Sequence, residues 1–319
     1  INPRSLRRLD RLSRLAVQAV AELLADANLS AEQVGSAGLV FATGYGPLSA
    51  VEEFQRVLLT TGEGDSRVFP NTVMNAAAGH VALLNQIHGP TATFCAGGTA
   101  SISALHFAGQ LIRSGACEKV ILVSADAATQ VLLSGFHGSR GHLSRESLVP
   151  RASSGRVFSE GAVALLLEKP DTHPERPVLA EIMGFGMAGD GSPAGTLHAD
   201  PEGILRAMRG ALLDAGADPK AVDVVIGVAC GRTLPDALEE TALERLGLRE
   251  NVESSFPKAL QGDTVSSAPL LGILQAIWMR QRGEVPARLD GSIGALDASK
   301  PITTLINSFE IGGNYQSVF

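Results

Sequence analysis

Apolar positions along the chain follow two patterns that alternate. From Leu12 to Leu24 they recur at helical spacing. Residues 38–44 then form a short buried-strand pattern, mostly apolar and ending in Gly44, as in a strand covered on both faces. The same phrase returns later, because the helical stretch 211–222 and the apolar run 224–231 repeat the character of 21–34 and 38–44 at an offset of about 190 residues. This predicts an α/β protein of two similar halves, each with a mostly parallel sheet. Further apolar runs at 119–124, 161–168 and 301–307 predict strands. Residues 134–154, rich in Gly, Ser, Arg and His, read as a mobile connection. The three prolines of 169–177 mark the hinge between the halves 1–168 and 169–319.

One run ends on a nucleophile. Residues 90–94 lead straight into Cys95, and Ile102, Leu105, Ala108, Leu111 and Ile112 follow at helical spacing, so the pattern is strand, cysteine, helix. A helix starting near Gly98 would aim free N–H groups and its positive end at the sulfur and favour the thiolate. A free cysteine in an apolar stretch is also commonly a small core residue, and both readings stand at this point.

Composition narrows the class. The 319 residues are 45% hydrophobic and 18% charged, with 35 glycines, which excludes disorder and fits a large core. No apolar run approaches the ~20 residues of a membrane span, and the first ten residues lack a signal-peptide core, so a cytoplasmic location is expected. The three cysteines, Cys95, Cys117 and Cys230, are too scattered for a disulfide framework or a zinc site. The net charge of −7 argues against nucleic acid as a partner, and Arg7, Arg8, Arg11 and Arg14 read as a solvated helix face able to meet an acidic protein. The chain does not start with Met, from which a preceding segment is expected. Gly-x-Ser-x-Gly, Walker-type and His-Glu-x-x-His patterns are absent, and the seven histidines read as structural or surface residues.

Several motifs together resemble one family. Phe69-Pro70-Asn71-Thr72-Val73-Met74-Asn75 with Gly79-His80 and Gly89-Pro90, Cys95 itself, Ser159-Glu160-Gly161-Ala162, and Asn307-Ser308-Phe309-Glu310-Ile311-Gly312-Gly313-Asn314 resemble the β-ketoacyl-[acyl-carrier-protein] synthases (ketosynthases) of the thiolase superfamily. The resemblance covers nearly the whole chain. It implies a five-layer αβαβα fold from two duplicated halves, with Cys95 at the nucleophile position and no metal or cofactor. Phe309, Ile311, Gly312 and Gly313 would lie on the substrate-binding loop, Ile311 where a gating Phe usually sits. The segment expected upstream would hold the family's usual first strand.

The resemblance breaks at the condensing machinery. The two family histidines bind the thioester carbonyl and stabilise the enolate formed on malonyl decarboxylation. The motif His-Gly-Thr-x-Thr followed by Asp aligns with Cys230-Gly231-Arg232-Thr233-Leu234-Pro235-Asp236, placing Cys230 at the first histidine. The motif Lys-x-x-x-Gly-His aligns with Lys258 to Asp263, which keeps the lysine and places Asp263 at the second. An acidic residue nine positions further on in many relatives is Gly272 here. Imidazole donates to an oxyanion, an ionised Asp repels it and a thiol donates weakly. Losing one such donor costs ~2.7–4 kcal/mol, so independent condensation is not expected. An Asp near Cys95 would also raise its thiol pKa.

The resemblance then implies a chain-length-factor-type subunit that pairs with a catalytic ketosynthase, works with an acyl carrier protein and shapes the tunnel for a polyketide, fatty acid or polyene. By analogy, residues 90–94 would pair across the dimer and residues 69–75 would approach the partner's tunnel. The commonest such subunits carry Gln at the nucleophile position, whereas this chain keeps Cys95. The alternative is a non-elongating acyltransferase using Cys95 as acyl-thioester nucleophile.

Overall fold

The computed structural model describes residues 6, 9–138, 143–144, 155–170, 172, 176–193, 195–229, 231, 233–250, 252–288 and 291–319. The chain forms two compact units that are not contiguous in sequence. The first comprises residues 1–138, 160–178 and 265–267, and the second residues 139–159, 179–264 and 268–319.

In the first unit, β1 (Gly38–Thr43), β2 (Thr91–Cys95) and β3 (Lys119–Asp126) are parallel, and β4 (Gly161–Glu168) runs antiparallel to β3, in the order β2-β1-β3-β4. Every residue of β1 and β3 is buried, as a parallel sheet covered on both faces requires. Helix α1 (Arg11–Asp26) starts where the Asp10 side chain accepts the Ser13 amide. Its stripe of Leu12, Ala16, Val17, Val20 and Leu24 packs on the face formed by Leu39, Phe41, Ile121, Val123 and Ala125. Two further helices follow β1, namely α2 (Leu48–Thr61) and α3 (Ala76–Asn85), and α3 shares the α1 side of the core. The alternate strand residues Val40, Ala42, Val120 and Leu122 point to the opposite face, where α4 (Ala100–Arg113) packs on β1 and β3. Helix α5 (Gln130–Gly138) follows β3. It takes in the start of the expected 134–154 connection, of which residues 139–142 and 145–154 lie outside the described residues.

The second unit repeats this plan. Strand β5 (Phe185–Gly189) is followed by α6 (Glu202–Asp214), β6 (Val224–Ile226), α7 (Thr233–Leu246), β7 (Glu253–Ser255), α8 (Ala268–Arg282), a small hairpin of β8 (Glu284–Val285) and β9 (Gly294–Ala295), and finally β10 (Thr304–Glu310) and β11 (Asn314–Val318). The sheet order is β5-β11-β10-β6-β7. Strands β10, β6 and β7 are parallel and β11 is antiparallel, so β11-β10-β6-β7 matches β4-β3-β1-β2 of the first unit, with β5 added at the edge. The expected duplication is thus present in the strand order. Helices α6 and α7 cover one face with Val225, Leu305, Phe309 and Tyr315. Helix α8 packs on β10, and Gly272 makes that approach close, since a Cβ there would lie 3.2 Å from the Cγ2 atoms of both Ile226 and Ile306.

The strands expected at 38–44 and 161–168 form at those places, and that at 119–124 extends two residues to Asp126. The run 224–231 yields only the three residues of β6, because beyond Gly227, whose amide still pairs with Ser255 O of β7, the next two amides leave the ladder for the Glu239 carboxylate. The run 301–307 pairs only from Thr304, since the Thr303 amide is taken by the Asp223 carboxylate.

Candidate functional site

Cys95 closes β2 in register with Thr43, the last residue of β1. The carbonyl of the next residue, Gly44, accepts the Cys95 thiol at 3.4 Å and the Gly97 amide at 3.2 Å. Gly97 has φ +57, and the 3₁₀ turn Gly97–Thr99 delivers the chain into α4 at Ala100. The Gly97 amide therefore turns to a carbonyl and not to the sulfur. Burial pushes the Cys95 thiol up, and the charge of Asp126 adds to this. That is opposite to the thiolate expected from a helix terminus.

Asp126 ends β3 and is 3% exposed. Its carboxylate accepts the Gly44 amide on both oxygens at 2.8 and 3.0 Å, the Thr43 hydroxyl at 3.0 Å, the Ser266 amide at 2.9 Å and the Ser266 hydroxyl. Ser266 Oγ also meets Ser124 Oγ at 2.9 Å. Burial outweighs these bonds and lifts the carboxyl to about 6. Val265 holds φ +54, rare for a β-branched residue and a strain on the order of 1–3 kcal/mol. Its Cγ1 lies where a side chain at residue 44 would have to go, so only glycine fits there.

In the second unit, Lys258 opens the one-turn helix Lys258–Gln261, and Asp263 follows it, 1% exposed. Lys258 Nζ lies 3.1 Å from Asp263 Oδ1, and Arg156 Nη1 lies 3.7 Å from Oδ2. Arg156, also buried, reaches Glu310 Oε1 at 3.8 Å with its other nitrogen. The backbone fixes this cluster: the Asp263 amide donates to Val157 O at 2.7 Å, and Asp263 O accepts the Ser159 amide at 3.0 Å. Lys258 also lines a cavity of about 20 Å³ with Gly227, Asn307 and Ser308, room for roughly one water.

A second buried acid stands behind β6. Glu239 on α7 accepts the Val228 amide at 3.0 and 2.9 Å, the Ala229 amide at 3.4 Å and Asn307 Nδ2 at 2.9 Å. Asn307 is held in turn by Ser317 Oγ at 2.8 Å. Burial raises Glu239 to about 7.

Cys230 and Arg232 lie outside the described residues. Phe309 projects into the core of the second unit, edge-on to Tyr315 with ring centroids 5.6 Å apart. Ile311, Gly312 and Gly313 form the turn between β10 and β11, with the Gly312 amide on Thr196 O at 2.8 Å and Gly313 O accepting the Asp190 amide at 3.1 Å. Of the basic residues near the start, Arg11 is bonded through two nitrogens to Glu160, Arg14 Nε donates to Leu9 O at 2.9 Å, and Arg7 and Arg8 are outside the described residues. His80 is half-buried with Nε2 2.8 Å from Asn71 Oδ1, burial lowering its pKa, and His198 Nδ1 accepts the Asp200 amide at 3.1 Å. His142 and His173 lie outside the described residues. The sequence reading did not single out Asp126, Glu239 or Arg156. The clearest signal was Asp126, a charged residue that ends a strand whose centre, 120–123, is apolar.

Residues 1–173 match the family described as "Beta-ketoacyl synthase, N-terminal domain", and residues 179–292 match "Beta-ketoacyl synthase, C-terminal domain". A 3-oxoacyl-[acyl-carrier-protein] synthase 2 of Coxiella burnetii is 25% identical over 256 residues, 76% of this chain and 62% of that protein, so the chain spans less than two thirds of that relative. A putative polyketide β-ketoacyl synthase 2 of Streptomyces coelicolor is 29% identical over 303 residues, 90% of this chain and 70% of that protein. The solved structure of the ishigamide ketosynthase/chain length factor superposes with a TM-score of 0.81 at 20% identity, covering 98% of this chain and 82% of that one. The fold is the thiolase-like fold of ketosynthases. Among the described residues no helix is long and apolar enough to cross a membrane.

Proposed function

The chain belongs to the β-ketoacyl synthase family, and we propose that within it the protein is a chain-length-factor-type subunit. It pairs with a catalytic ketosynthase and shapes the tunnel in which a carrier-protein-bound polyketide, fatty acyl or polyene chain grows. The observation that carries this reading is the setting of Asp263. By the resemblance, this position holds the second histidine of condensing ketosynthases. Here it holds a buried carboxylate set between Lys258 and Arg156. A developing enolate needs a donor, and a carboxylate fixed by cations offers none and opposes the charge. The loss of such a donor costs on the order of 10²–10³ in rate. Cys230, at the first histidine position, donates only weakly.

Two further features fit. The Cys95 thiol is raised and bonded to a carbonyl, unlike an activated nucleophile. Strand β2 is the edge of its sheet and partly exposed, and Phe69, Val73 and Met74 are exposed, which suits pairing of residues 90–94 and approach of residues 69–75 to a second chain. The ishigamide ketosynthase/chain length factor named above supports the same direction.

The second reading, a non-elongating acyltransferase, is favoured by the retention of Cys95 at the open end of β2. Intact-mass analysis after incubation with a short acyl-carrier or N-acetylcysteamine thioester separates the two. The subunit reading expects no adduct on the protein alone, together with a co-expressed ketosynthase that co-purifies and is acylated. An adduct that disappears in Cys95→Ala transfers the assignment to the acyltransferase.

A further inference from the structure

Asp126 is a fully buried acid with no place in the reading above, and its bonds lead to Cys95 in two steps. The carboxylate takes the Gly44 amide on both oxygens, and the Gly44 carbonyl takes the thiol. We propose that Asp126 is a positioning residue for Cys95, fixing the Gly44 loop as the thiol's acceptor and holding Cys95 as a resting, protonated thiol.

The geometry carries this in three ways. First, Gly44 is clamped: Asp126 holds its amide, Gly97 and Cys95 hold its carbonyl, and Val265 fills the space beside its Cα. Secondly, Ser266 anchors the carboxylate through both its amide and its hydroxyl. That bonding sustains the left-handed backbone of the adjacent Val265, a cost that persists only where surrounding contacts over-determine it. Thirdly, among the described residues the groups bonded to or paired in register with Asp126 are uncharged. They are the Thr43 hydroxyl and Gly44 amide at the end of β1, the Ser266 amide and hydroxyl in the 265–267 turn, and Gly161, its register partner on β4. The Asp126 charge bears on Cys95. A thiolate here would lose its bond to the Gly44 carbonyl, face that oxygen's lone pairs and meet the field of the carboxylate.

The experiment is the pH dependence of thiol–disulfide exchange at Cys95 in the whole chain with neutral 4,4′-dithiodipyridine, read by peptide mass with Cys95→Ala as blank. The thiolate attacks one sulfur, a mixed disulfide forms and pyridinethione leaves. The native midpoint is expected above the free-cysteine value of ~8.5. In Asp126→Asn it moves down, and exchange at neutral pH accelerates by ~3-fold for each unit of that fall, because the gain in thiolate is partly offset by lower nucleophilicity. Asp126→Glu, which keeps the charge, retains a raised midpoint. A native midpoint at or below ~8.5 overturns the proposal without any variant, so an Asp126→Asn chain that does not fold leaves the test intact. An unchanged midpoint in folded Asp126→Asn overturns it as well. Both outcomes are independent of whether a ketosynthase co-purifies, so this inference and the subunit reading stand or fall separately.

Discussion

Asp126 and Asp263 are equally buried carboxylates kept in opposite ways. Asp126 is bonded to neutral donors, two amides and two hydroxyls, and burial pushes its carboxyl up to about 6. Asp263 sits against two cations, Lys258 and Arg156. Neutral donors hold a carboxylate in place but leave its charge negotiable, whereas cations tie the charge itself to the fold. The first arrangement suits a group that tunes a neighbour, the second a group that has become structure. Glu239 resembles Asp126: it receives the amides leaving β6, as Asp126 receives the amide leaving the matching strand β1, and it too is raised by burial.

The largest effect is expected from breaking the ionic arrangement. Arg156→Met removes the guanidinium from between Asp263 and Glu310 and is expected to cost about 3–5 kcal/mol, measured as a lowered urea midpoint at unchanged slope. A loss below about 1 kcal/mol would make the cluster equivalent to a solvated surface pair and dissolve the contrast.

The neutral-donor arrangement predicts a pH dependence of the less common sign. Both acids have folded pKa values above the unfolded ~3.9 and ~4.3, so the folded state holds its protons to higher pH. Each therefore adds stability that is complete below ~4 and is lost as pH rises through about 6 for Asp126 and about 7 for Glu239. Urea stability of the native protein minus that of Glu239→Gln should fall across that window by up to about 1.4 kcal/mol per pH unit and be flat above it. A difference that rises with pH would place Glu239 among ordinary ion-paired carboxylates.

The smallest effect belongs to the exposed counterpart. Arg11 and Glu160 are bonded through two nitrogens, but their side chains are 60% and 27% exposed. Arg11→Ala should change stability by about 0–1 kcal/mol, and the difference should vanish in 1 M salt, checked by unfolding at two ionic strengths.

The elements legible in the sequence were those whose signal is local. The apolar runs of β1, β3 and β4 and the repeat at about 190 residues announced the sheets and their duplication. The strand–cysteine–helix order at Cys95 was legible too, but not the direction of its pKa, because that depends on where one amide, Gly97, spends its bond. Asp126 escaped notice because its partners Gly44 and Ser266 lie 82 and 140 residues away in sequence. Glu239 stands beside Glu240 in an acidic helix, and only the fold decides which of the two turns inward. Arg156 belongs to a stretch whose Gly, Ser and Arg content is that of a surface connection. Strands β5 and β11 were not anticipated, although Gly312-Gly313 ahead of β11 is a common hairpin signal.

The segment Val265–Ser267 belongs to the first unit while the chain on both sides of it belongs to the second. Cut at residue 168, an N-terminal fragment would carry Cys95, Gly44 and Asp126 but not the serine that supplies two of the carboxylate's donors. Fragment complementation therefore offers a route to the site that point substitution lacks. A synthetic peptide spanning those three residues becomes, in effect, a detachable piece of the shell around Asp126.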